Sequence, residues 1–159
     1  MIHRLILILT LLIPAKNILA DDDCVRALPE ATVKDISKVS NYSISGVDSR
    51  LLTESFILTS GQRVEVIQSG CAHFGLTYRF PVNSFPKHET ITTALNLVGQ
   101  LTNVAPLMTK YIYGALLSVK DKSSSPESIT VTEGYDWVYV STEFSDGNTV
   151  LVVTYDIAL

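Results

Sequence analysis

With 16 acidic against 12 basic side chains in 159 residues and a formal net charge of −4, the chain is poorly suited to nucleic acid or anionic lipid. Its apolar fraction of 47% is enough for one domain with a proper core. Two cysteines and three histidines are too few, and too scattered, for a zinc site.

In chain order, Met1–Arg4 is a short basic head, Leu5–Ile13 an apolar run broken by Thr10, and Ala20 a small residue before Asp21-Asp22-Asp23. That order reads as a secretory signal peptide over residues 1–20, cleaved to leave one exported domain over 21–159, periplasmic or secreted. The apolar run is too short for a stable membrane span. The longer stretch Ala94–Val119 is interrupted by Gln100, Asn103, Pro106 and Lys110 and reads as soluble helix. Cleavage removes two of the 12 basic residues, Arg4 and Lys16, and no acidic one, so the mature net charge deepens to about −6. In an oxidising compartment Cys24 and Cys71 are expected to form a disulfide. Closing residues 25–70 into a loop would stabilise the fold by roughly 4 kcal/mol in the chain-entropy model.

The mature chain opens with Val25–Lys38, where Pro29-Glu30-Ala31 could begin a short helix. Strands are predicted from Tyr42 to Gly46, Leu52 to Thr59 and Arg63 to Gln68, the last two joined at Ser60-Gly61-Gln62. Ala72–Phe80 alternates strictly: Ala72, Phe74, Leu76, Tyr78 and Phe80 on one face, His73, Gly75, Thr77 and Arg79 on the other, closed by Pro81. Ile91, Ala94, Leu95, Val98 and Leu101 then repeat at helical spacing. Leu107, Met108, Tyr111, Ile112, Ala115 and Leu116 continue the rhythm after a break, with Asn103 as the N-cap and Pro106 in the first turn. Three strands finish the chain: Ser128–Thr132, Tyr135–Phe144 and Val150–Ile157, the last pair joined by an Asp146-Gly147-Asn148 hairpin. The expected class is α+β: an antiparallel sheet of about seven strands (four, a broken helical hairpin, then three) with helices packed on one face.

Catalytic patterns are sparse. His73 and His88 sit in no nucleophile elbow or cysteine-protease context, and oxidation would remove Cys71 as a nucleophile. Asp21-Asp22-Asp23 and Asp146-Gly147-Asn148 lack the acidic spacing of a calcium loop, and no glycine-rich phosphate loop occurs. Glu54, Glu65, Glu133 and Glu143 lie on or beside strands, where solvated faces carry such residues routinely. The chain is therefore read as a non-enzyme with no metal and no cofactor. Asn41-Tyr42-Ser43 matches a glycosylation sequon, relevant only in a eukaryotic source.

Recognition chemistry is better represented. Tyr135, Trp137 and Tyr139 alternate along one strand face with Ser141 and Glu143, the mixture of aromatic anchors and polar rim that binding hot spots use. Two orientations satisfy this alternation: the aromatics exposed with Val138, Val140, Thr142 and Phe144 as the core side, or the reverse. His73, Thr77 and Arg79 form a polar stripe that fits either a binding face or an ordinary wet sheet face. The expected function is a small exported binding protein, in the form of an inhibitor or immunity protein acting on an envelope enzyme, with a basic protein partner. The alternative is a carrier holding a small apolar ligand or lipid between the sheet and the helix Val104–Val119.

Overall fold

The computed structural model describes residues 29–47, 50–70, 73–83, 86–120, 128–133 and 136–158. The signal segment, Cys24, Cys71 and Tyr135 lie outside the described residues. The elements are β1 (Val39–Ser45), β2 (Leu51–Leu58), β3 (Arg63–Gly70), β4 (His73–Val82), α1 (Thr90–Leu101), α2 (Pro106–Val119), β5 (Ser128–Glu133), β6 (Asp136–Ser145) and β7 (Asn148–Ala158). All strand pairs are antiparallel, in the order β1-β2-β3-β4-β7-β6-β5, and the α+β class read from the sequence holds.

One side-chain register runs through the inner face. Glu54 pairs with Val66, Val66 with Tyr78, Tyr78 with Val153 and Val153 with Val140, so successive strands turn the same rows inward. Phe56, Leu76, Phe80, Val138 and Leu151 join Ile91, Ala94, Val98 and Leu101 of α1 and Ile112 and Leu116 of α2 in one buried cluster. The period of two along the strands and of 3.6 along the helices both end in this cluster. Tyr78 Oη and Thr109 Oγ1 lie 2.9 Å apart, tying the sheet to α2. Because the Thr109 hydroxyl gives its proton to the Ala105 carbonyl, Tyr78 is the donor of that bond. Burial, with the nearby Glu54 carboxylate adding to it, pushes the Tyr78 phenol up to about 12.

Four local expectations are corrected. Pro29-Glu30-Ala31 starts no helix: the segment is an irregular strap, followed by a 3₁₀ turn at Ile36–Lys38. Pro81 does not end its strand, since β4 runs to Val82 and Pro81 pairs with Val150. The ladder to β3 has already stopped at Arg79, and Gln62 Nε2 donates to the Arg63 carbonyl at the start of β3 at 2.8 Å and to the Pro81 carbonyl at 2.9 Å, so the Arg63 acceptor does not depend on the missing N–H. Ala105, not Asn103, occupies the N-cap position of α2, and no side chain caps the helix. Pro106 follows directly, where a missing N–H costs nothing, while the Asn103 carbonyl accepts Lys38 Nζ at 3.3 Å. Phe144 is 79% exposed rather than core, because it sits beside the Asp146-Gly147 turn, past the inward residues Val138 and Val140.

Candidate recognition face

The odd positions of β6 face away from the helices. Val138 and Val140 are buried, whereas Trp137 and Tyr139 are 36% and 40% exposed. This decides between the two orientations that the alternation allowed: short β-branched side chains fill the sheet–helix layer, and the large rings stand outside. Across the sheet, Trp137 pairs with Asp156 and Tyr139 with Thr154, whose Oγ1 lies 3.2 Å from Thr77 Oγ1.

Arg79 lies on the same outer face. Its Nε sits 3.1 Å from Glu65 Oε2 on β3, and its Nη1 sits 2.7 Å from Glu143 Oε2 on β6. Since β7 lies between β4 and β6, the guanidinium spans β7, where Val150 and Val152 pair with Glu143 and Arg79 and are buried. The charged head thus meets water while the stem covers apolar surface. The two carboxylates exceed the one cation, leaving this patch locally acidic. Beside it is a hollow of about 500 Å³ whose lining includes Asn41, Arg63, Glu65, Arg79, Asp146 and Asn148.

Trp137, Tyr139 and Arg79 are therefore brought to one face. His73 opens β4 opposite Ala158, and its side chain, like Tyr135, lies outside what is described. Of the carboxylates considered, Glu65 and Glu143 are both engaged by Arg79. Glu54 corrects the expectation of a solvated face, for it has no exposed surface. Its Oε2 accepts the Thr32 amide and hydroxyl, each at 2.7 Å, and its Oε1 accepts the Val33 amide at 3.2 Å and the Tyr42 hydroxyl at 2.9 Å. Four donors compensate the desolvation of the carboxylate. Among the described residues no cluster of three or more His, Cys, Asp or Glu could hold a metal ion, and no helix is long and apolar enough to cross a membrane.

A second feature lies between the sheet and α2, where the carrier alternative places a ligand, and the strap that covers it was not singled out by sequence reasoning. The strap 29–34 crosses the inner face, held by Glu54, by Gln68 Oε1 accepting the Glu30 amide at 2.9 Å, and by Lys34 N–H on the Val104 carbonyl at 3.2 Å. Beneath it lies a cavity of about 210 Å³ between strap, sheet and the start of α2, walled by Phe74, Leu76, Tyr78, Ala105 and Met108 with Gln68. The signal was present: Glu54 shares a strand face with Leu52, Phe56 and Leu58, and Gln68 shares one with Val64 and Val66. Polar residues in the middle of apolar rows point to a buried partner.

Compared with models of known families, with characterised proteins and with solved structures, the chain matches none.

Proposed function

We propose that the chain is an exported, periplasmic or secreted binding protein whose outer sheet face engages a protein partner, acting as an inhibitor or immunity protein toward an envelope enzyme. In this reading seven strands form a platform, the helices cover its inner side, and the outer side is left for recognition. The observation that carries it is the exposure of Trp137 and Tyr139 on the face that also holds Arg79 with Glu65 and Glu143. Large rings flanked by charged groups are how compact interfaces combine anchoring with orientation. An acidic chain gains association rate toward a basic partner, and that gain fades with salt. The test is affinity capture from cell-envelope extract, with wild type and the double variant Trp137→Ala, Tyr139→Ala, at low and high salt. One partner captured by wild type at low salt and lost with the double variant supports the reading. Identical capture by both proteins removes the outer face from it.

The cavity favours a second reading, that of a carrier of a small apolar ligand, because a space of about 210 Å³ lies where such a ligand would sit, between the sheet and α2. Native mass spectrometry of the purified protein tests it: a carrier retains a co-purifying small molecule.

A further inference from the structure

We infer that the cavity beneath the strap takes an uncharged, mainly apolar small molecule bearing one hydrogen-bond acceptor, and that the Gln68 amide donates to that acceptor. This inference rests on the carrier reading and adds the chemistry of the ligand.

Three observations carry it. The first is size. Benzene enters an engineered apolar cavity of about 150 Å³, so about 210 Å³ suits a substituted ring or a short branched chain, not a long acyl tail. The second is the wall, which is aromatic and aliphatic through Phe74, Leu76, Ala105 and Met108. The third is Gln68, only 7% exposed and part of the lining. The Glu30 amide is a donor, so the oxygen of the Gln68 side chain must be the atom facing it, 2.9 Å away. That assignment leaves the NH₂ group as the donor Gln68 brings to the cavity, and this is its one side-chain hydrogen bond among the described residues.

A donor at the wall of a mainly apolar cavity gives a ligand carbonyl or ether oxygen a directed hydrogen bond in surroundings of low polarity, which an apolar ligand of the same shape does not make. The Tyr78 hydroxyl cannot serve the same purpose, since it is already bonded to Thr109. Charge at the rim sets the remaining preference. Glu30 and Lys34 both border the cavity with opposite signs, so neither an anionic nor a cationic head gains a net Coulombic partner while losing its hydration.

The test uses three probes of similar shape on the mature protein: acetophenone (one acceptor), cumene (none) and benzoate (charged). Met108 lines the cavity and is one of only two methionines, the other being Met1, so a methyl-labelled Met108 reports occupancy directly. Acetophenone is expected to shift the Met108 methyl signal saturably, cumene to bind about tenfold more weakly, and benzoate to give no saturation. Gln68→Leu should bring acetophenone down to the cumene level, and Ala105→Phe, which fills the cavity, should abolish both. Thermal melts confirm that each variant is folded, and the comparison of probes on wild type stands without them. Equal affinities for acetophenone and cumene on wild type, or no saturation by acetophenone, would overturn the inference. A co-purifying ligand found alongside either result leaves the carrier reading standing without this chemistry. Acetophenone saturation without a co-purifying ligand keeps the chemistry of the site and removes the carrier role.

Discussion

A carboxylate with no exposed surface must be surrounded by donors, and Glu54 shows how far such a group controls its neighbours. Tyr42 donates to it at 2.9 Å, and burial together with that bond raises the Tyr42 phenol to about 12 from an ordinary 10.0. Tyr78 is raised to about 12 as well. Between these limits the unfolded chain has lost protons that the native chain keeps, so fewer protons are bound on unfolding and stability falls as pH rises from about 10 to about 12. Below pH 10 both states hold the protons and this contribution is level. Tyr42→Phe is expected to lose roughly 1.5 kcal/mol at pH 8, through one hydrogen bond to a charged group. It should also show a shallower alkaline decline, with Tyr78 supplying what remains. Urea midpoints at pH 8 and pH 11 measure both effects, and an alkaline decline as steep as in wild type would show that Tyr42 does not contribute. The position of Glu54 within an apolar row was readable, but its partners at Thr32 and Tyr42 come from a strap and an edge strand whose placement depends on the folded sheet. The exposure of Trp137 was readable only as one of two orientations, because alternation fixes which residues share a face and not which face meets the helices.

Among the elements, β1 depends on one irregularity. Ser40 pairs with Ile57 and Ser43 with Ser55, so Asn41 and Tyr42 together oppose Phe56 in a bulge, and Asn41 takes a left-handed φ of 51°. The bulge switches the strand's facing, which lets Tyr42 reach inward to Glu54 while Ser43 bonds Ser55 on the outside at 2.7 Å. Asparagine tolerates that backbone and a β-branched residue does not. Asn41→Val should therefore cost roughly 2 kcal/mol while Asn41→Gly stays within about 0.5 kcal/mol of wild type, as read by thermal denaturation. Equal losses from the two substitutions would show that backbone conformation is not what Asn41 supplies. This bulge left no clear mark in the sequence, unlike the tight hairpins. Asp146 and Gly147 have φ of 52° and 79°, the two left-handed positions of a two-residue connection, and Gly61 has φ of 84° in the β2–β3 turn, as those residue types led one to expect. The two helices were legible from spacing, and their interruption falls at residues 102–105, directly before Pro106. Pro106 opens α2 as its place in the first turn led one to expect, whereas the Asn103 cap failed because neither helix carries a side-chain cap.

For the molecule as a whole, the decisive fact is that the last strand is not at the edge. β7 lies between β4 and β6, pairing along its length with both, and it contributes Leu151, Val153 and Tyr155 to the core. The first four strands and the last three are therefore joined in the sheet by the backbone pairing of β4 with β7, which closes across both helices in sequence. Without β7, β4 loses one ladder partner, β6 and β5 have no sheet to join, and α1 and α2 lose part of the surface that buries their apolar faces. Tyr155 also holds its neighbourhood through Phe74 and Tyr111, with ring centroids 6.3 and 5.1 Å away. Partial structure is poorly rewarded under these conditions, because most of the ordering entropy remains while much of the burial is gone. Removal of residues 148–159, all of β7, is therefore expected to abolish the cooperative urea transition of the entire domain rather than to fray one end. Far-UV circular dichroism and tryptophan fluorescence through Trp137, the sole tryptophan, follow the β-sheet and β6 together. A truncated chain that still unfolds cooperatively near the wild-type midpoint would show that β1–β4 and the helices form a core independent of β7.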